Sequence, residues 1–233
     1  MAQRYRNIFF DLDDTLWDFT GNSRQVYRMM YERHGYSRFF KSFDHYLALY
    51  ERRNEELWAD YGRGLVTKDE LNVMRFTYPF EHDGIGGCRD LALSFMRDSL
   101  AMMPTMRGVV DGAHEVLDCL APRYNLYILS NGFRELQSAK LASAGLEHYF
   151  SRVILSEDIQ VHKPRIEIFN FALSATQSLA AESLMVGDNI DTDIKGAAAA
   201  GLDQVWFNRW GNDAGSFRPT FEVRRLEQLL SLL

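Results

Sequence analysis

The chain of 233 residues is long enough for one large domain or for a core domain with an insertion, and its 46% hydrophobic and 25% charged residues are ordinary for a globular protein. No apolar run approaches the roughly 18 residues of a membrane span. With a formal charge of -6 and no basic stripe, a nucleic-acid polymer is not an expected partner. Cys88 and Cys119 are too far apart for a Cys-x-x-Cys pattern and read as small buried hydrophobes, so neither a zinc site nor a disulfide framework is indicated.

Met1 to Asn7 lead into a strand without the apolar core of a signal peptide, and a cytoplasmic location is expected. That strand, residues 7 to 10, is followed by more than a hundred residues of helical pattern: about 23 to 34, 43 to 60, 68 to 77, 87 to 102 and 109 to 121. Thr67 and Glu70 fit a capping box. Four further short apolar runs, 125 to 129, 152 to 155, 184 to 186 and 204 to 207, read as buried strands. Helices at about 133 to 144, 165 to 175 and 190 to 200 separate them, the first and last ending at Gly145 and Gly201. Alternating strands and helices imply an α/β fold, a parallel sheet with helices on both faces. Residues 17 to 105 form an all-helical insertion after strand one, leaving 1–16 and 106–233 as the core. From Thr20 to Met103 there are 12 basic and 12 acidic residues, so the net negative charge belongs to the remainder.

Polar signals stand at the carboxyl ends of the strands, where open parallel sheets bind ligands. Asp11 and Asp13, two apart, can address one reacting centre while the chain is extended. A carboxylate is a competent nucleophile toward phosphorus, and its repulsion from an anionic substrate calls for a divalent cation. Ser130-Asn131-Gly132 offers a hydroxyl and amides opening a helix, a phosphate cradle. Lys163 could place a point charge on phosphate or on the nucleophile. In the run Gly187 to Asp193 the carboxylates of Asp188, Asp191 and Asp193 suit oxygen ligation of Mg²⁺. Singly, each has a plainer reading: a capped turn, a common turn, a surface lysine, acids at a helix start. Their convergence on one rim outweighs those readings.

In Asp11-Leu12-Asp13-Asp14-Thr15-Leu16, Ser130-Asn131-Gly132, Lys163-Pro164 with Ile168-Phe169, and Gly187-Asp188 through Asp193, the chain resembles the haloacid dehalogenase superfamily over essentially its whole length. The resemblance implies a Rossmann-like sheet of order 3-2-1-4-5 and a helical cap closing over the site. It assigns Asp11 as nucleophile, Asp13 as general acid/base, Ser130 as phosphate ligand and Lys163 as charge stabiliser. Mg²⁺ would be bound by Asp11, Asp188 and the Asp13 backbone carbonyl, with Asp193 and Asn189 in support. Dehalogenases of the superfamily have no Asp two residues after the nucleophile; this chain has Asp13, which favours hydrolysis of a phosphomonoester on a small metabolite.

Trp17, Asn131 and Arg134 are candidates for the substrate's leaving group, although most of the aromatics in the insertion, among them Tyr46, Tyr50 and Phe76, suit a core. The Lys-Pro-x-x-x-Ile-Phe form and the Val205-Trp206-Phe207-Asn208-Arg209 segment are most similar to the branch containing pyrimidine 5'-nucleotidases. A phosphotransferase such as a sugar phosphomutase, a dehalogenase and a non-catalytic metabolite-binding module are the competing expectations, and the sequence leaves the oligomeric state open.

Overall fold

The computed structural model describes residues 4–233 and divides the chain into two compact units, Met1–Phe19 with Arg107–Leu233, and Thr20–Met106. In chain order the elements are β1 (Asn7–Phe10), α1 (Phe19–Arg33), α2 (Phe43–Gly62), α3 (Lys68–His82), α4 (Arg89–Met102), α5 (Ala113–Leu120), β2 (Asn125–Ser130), α6 (Arg134–Ser143), β3 (Arg152–Leu155), α7 (Ile166–Ala175), β4 (Ser183–Gly187), α8 (Lys195–Ala199), β5 (Asp203–Phe207), β6 (Phe221–Val223) and α9 (Leu229–Leu232).

All the strands are parallel, in the order β3-β2-β1-β4-β5-β6. This extends the expected 3-2-1-4-5 order by one edge strand. A strand buried on both faces reads as a continuous apolar run, and β1 fits, with Ile8, Phe9 and Phe10 fully buried. Phe10 pairs with Ile128 of β2 and Val186 of β4, so Asp11, Ser130 and Asp188 emerge at one rim from three neighbouring strands. Under this rim Phe9, Met185, Phe169 and Ala197 share a core cluster. Gly196 permits that approach: a Cβ there would lie 2.6 Å from the Phe169 ring and 2.9 Å from Pro164 Cα.

The second unit is built on aromatic packing. Tyr36 and Phe95 stack with centroids 4.6 Å apart, Tyr46 and Phe76 are fully buried, and Tyr27 and Tyr50 share a 2.7 Å hydroxyl hydrogen bond. Thr67 and Glu70 form the expected capping box on α3.

Several boundaries differ from expectation. The helix expected to stop at 77 runs to His82 through Pro79. The helix expected to end near residue 60 runs to Gly62, and the left-handed turn after it falls at Gly64, φ 73°. Cys88 is half-buried and Cys119 exposed, not buried as expected: Cys88 lies in the loop immediately before α4, and Cys119 stands one residue before the buried Leu120 on an amphipathic helix. Among the described residues no helix is long and apolar enough to cross a membrane.

Candidate active site

Lys163 organises the rim. Its Nζ donates to Asp11 Oδ1 at 2.6 Å and to the Leu129 carbonyl at 2.7 Å, and lies 2.7 Å from Asp193 Oδ1. The first two contacts are hydrogen bonds and the third is an ion pair, so the ammonium is held from three sides. Burial opposes the charge on Lys163, but the carboxylates of Asp11 and Asp193 outweigh it and hold the ammonium well above its ordinary range. Asn131 fixes the lysine by its backbone: Asn131 Oδ1 accepts from Lys163 N at 2.8 Å and Nδ2 donates to Lys163 O at 3.0 Å.

Asp193 reaches Lys163 from a π-helical turn, Ile190–Ile194, that precedes α8. The segment expected to be one helix from 190 to 200 is therefore two. Asn189 opens the turn by accepting from the amides of Asp191 and Thr192, each at 3.0 Å, while its own amide donates to Asp193 Oδ2 at 3.1 Å. Asn189 thus supports Asp193, and its side chain is used as a cap.

Asp11, Asp188 and Asp193 each bring a carboxylate oxygen within 4.8 Å of the other two. Burial, followed by the neighbouring carboxylates Asp193 and Asp13, drives the Asp11 carboxyl up to about 7 despite Lys163. Burial also pushes Asp188 well above the usual carboxylate range, and Asp193, Asp11 and Asp14 add to this. Three carboxylates around one ammonium leave an excess of negative charge that a divalent cation would offset, and hard oxygen donors of this kind suit Mg²⁺. The residues present therefore fit the ion.

Asp13 does not contribute its carboxylate to this group. The side chain turns to α6, where Lys140 Nζ donates to Oδ1 at 2.6 Å and Gln137 Nε2 to Oδ2 at 2.9 Å. Gln137 Nε2 also donates to Ser130 Oγ at 2.7 Å, and the Gly132 amide donates to the same oxygen at 3.1 Å. A hydroxyl has two acceptor positions and one proton. Both acceptor positions of Ser130 are filled, which leaves its O–H to act as a donor.

The remaining expectations divide. Gly132 directs its amide at Ser130, not outward, and a Cβ there would lie 2.2 Å from Gln137 Nε2, so its smallness admits the glutamine. Trp17, expected at the substrate, is fully buried, and its ring lies 4.6 Å from Lys140 Nζ. Arg134 is exposed and paired with Asp158, while its backbone amide donates to Glu157 at 2.7 Å, so it ties the start of α6 to the segment after β3. Arg209 grips Asp14 at 2.5 Å and Asp18 at 3.1 Å. It thereby steadies a turn in which Asp14 takes φ 58°, a conformation that L residues rarely adopt.

Gln137, Lys140 and Arg209 were not anticipated. The sequence signal for the first two is their spacing of three on a helix that starts at the second motif, which places them on one face.

A family model described as haloacid dehalogenase-like hydrolase matches residues 5–201. Pyrimidine 5'-nucleotidase PynA of Streptococcus pneumoniae is 31% identical over 98% of this chain and 95% of its own length, and pyrimidine 5'-nucleotidase YjjG of Escherichia coli is 31% identical over 97% and 96%. Among solved structures, magnesium-bound YfnB of Bacillus subtilis, assigned to the HAD hydrolases, superposes with a TM-score of 0.86 at 30% identity, covering 98% of each chain. L-2-haloacid dehalogenase from Xanthobacter autotrophicus, at 19% identity and a TM-score of 0.76 over 98% of each chain, shares the fold. With its motifs on one rim and its relatives matched almost end to end, the chain belongs to the haloacid dehalogenase-like hydrolases.

Proposed function

We propose that the protein hydrolyses a phosphomonoester through an aspartyl phosphate on Asp11, and that its substrate is a small phosphorylated metabolite such as a pyrimidine nucleoside 5'-monophosphate. The observation that carries this reading is the carboxylate of Asp13, beside Ser130 on the rim that holds Asp11. Displacement of halide needs no proton donor, whereas expulsion of an alkoxide does. The names of PynA and YjjG support the nucleotide as substrate, and glyceraldehyde 3-phosphate phosphatase of Pyrococcus abyssi, 29% identical over 97% of this chain, supports phosphoester hydrolysis more broadly.

In the first step an Asp11 carboxylate oxygen forms a bond to phosphorus and the ester P–O bond breaks. Its electron pair moves to the departing oxygen, which takes a proton from Asp13. Lys163 and the Ser130 hydroxyl face the charge on the phosphoryl oxygens, the electrostatic aid that contributes most in such reactions. A divalent cation held by Asp11, Asp188 and Asp193 would supply Lewis-acid charge neutralisation at the phosphoryl group. In the second step water attacks phosphorus, Asp13 takes its proton, and the bond to Asp11 breaks to release inorganic phosphate and restore the carboxylate.

The test is phosphate release from a panel of nucleoside monophosphates, sugar phosphates and phosphoglycolate, with Mg²⁺ or with chelator. Metal-dependent release, fastest from pyrimidine nucleotides, is expected. Transfer of the phosphoryl group to a second organic hydroxyl without phosphate release would contradict hydrolysis.

A further inference from the structure

We infer that Gln137 and Lys140 of α6 are positioning residues for Asp13, and that Gln137 couples the placement of Asp13 to that of Ser130. Their role rests on the reading of Asp13 as the acid/base of a phosphomonoesterase.

Both side chains are buried, Gln137 completely and Lys140 to 4% exposure, in surroundings where an apolar residue would be the ordinary choice. Gln137 commits its two amide protons to two different site residues, Asp13 Oδ2 and Ser130 Oγ. Its Oε1 is buried without a hydrogen-bond partner. Rotating the amide would turn that oxygen toward the Asp13 carboxylate, so the observed orientation is the one the charges favour. A side chain selected for packing alone would not leave a buried oxygen unsatisfied. Lys140 Nζ meets Asp13 Oδ1 at 2.6 Å and lies over two rings, 4.6 Å from Trp17 and 5.3 Å from Phe19. The ring faces and the carboxylate together offset the loss of water around the ammonium.

Asp13 is therefore held at both oxygens from one helix face, and Ser130 is fixed by the same amide. Each carboxylate oxygen keeps a further lone pair, so the grip fixes the direction in which Asp13 can give or take a proton without using up that capacity. The same helix that opens at the phosphate motif thus aligns the acid with the bound phosphoryl group.

The experiment compares two esters in the full chain with Mg²⁺: uridine 5'-monophosphate, whose alkoxide needs protonation as it leaves, and p-nitrophenyl phosphate, whose phenolate needs little. Lys140→Met and Gln137→Leu, each checked for folding by circular dichroism and thermal melting, are expected to lower kcat/KM for the nucleotide, which reads the step that expels the alkoxide, by roughly 100-fold, the scale of general acid catalysis. For Lys140→Met the loss of kcat/KM on p-nitrophenyl phosphate should be less than about fivefold, whereas Gln137→Leu, which also frees Ser130, should lower kcat/KM on both esters but about tenfold more on the nucleotide. Lys140→Arg, which keeps a donor, should recover part of the nucleotide activity. Equal losses of kcat/KM on the two esters, or unchanged kcat/KM for the nucleotide, in either folded variant would overturn the inference while leaving the phosphatase reading standing. Wild-type protein that releases phosphate from neither ester would overturn the phosphatase reading, and this inference with it.

Discussion

Asn131 clasps Lys163 by its backbone, accepting from its amide and donating to its carbonyl. One amide side chain at the end of β2 thereby sets the point from which Lys163 reaches Asp11 and Asp193. Neutral hydrogen bonds are each worth only about 1 kcal/mol net, yet misplacing a reacting group can cost far more in rate than in stability. Asn131→Ala should melt within a few degrees of wild type while kcat falls by roughly 10- to 100-fold. Steady-state kinetics beside a melting curve would check it, and parallel small losses in both would refute it.

Lys163 is 4% exposed and is the ammonium shared by two buried carboxylates. Removing one member of a buried ion cluster leaves uncompensated charge, at a cost of about 3–5 kcal/mol. Lys163→Met is expected to lose activity and to lower the urea midpoint correspondingly in metal-free buffer. An inactive variant of unchanged stability would show that the carboxylates do not depend on it.

Gly187 faces Asp193 so closely that a Cβ would lie 2.4 Å from Asp193 Oδ2. Gly187→Ala must therefore move either the strand end or the acid that partners Lys163. A loss of roughly 100-fold in kcat is expected on the same positioning argument. Gly86→Ala, where a Cβ meets nothing within 4 Å and φ is not positive, should behave as wild type. Comparing the two by phosphate release and circular dichroism separates a local steric effect from a general intolerance of alanine.

The acidic cluster also predicts how metal and pH interact. Burial pushes the Asp11 carboxyl up to about 7 in the fold from the 3.8 of an ordinary aspartate, and Asp188 is raised as well. A folded-state pKa above the unfolded value favours the folded state while the group is protonated, and that contribution is lost as pH rises from about 4 through about 7. A cation that offsets the ionised cluster should restore it. The rise in Tm produced by Mg²⁺ should be small at pH 5 and larger at pH 8, and Asp188→Asn should reduce the difference. Scanning fluorimetry at the two pH values checks this; a shift independent of pH would contradict it.

The parallel sheet and its rim were legible because buried strands and strand-end motifs leave strong local signals: Ile8-Phe9-Phe10 before Asp11, Leu126 to Leu129 before Ser130, Leu184-Met185-Val186 before Asp188. β6 escaped because three residues, Phe221 to Val223, are too few to show a period. Gln137 and Lys140 escaped for another reason: polar residues on a helix ordinarily face water, and only the chain folding back from Asp13 and Trp17 buries them. The same packing buries Trp17 and sets its ring against Lys140. Arg209 is far from Asp14 in sequence, so their pairing depends on the tertiary fold.

In the proposed reaction Asp11 carries the phosphoryl group between two chemical steps. The most direct measurement is an acid quench of a single turnover, followed by mass spectrometry of the peptide containing Asp11, in wild type and in Asp13→Asn, where hydrolysis of the intermediate should slow. A phosphoryl adduct on Asp11, accumulating in Asp13→Asn and absent in Asp11→Asn, is the predicted result. Normal phosphate release by Asp11→Asn would contradict the account.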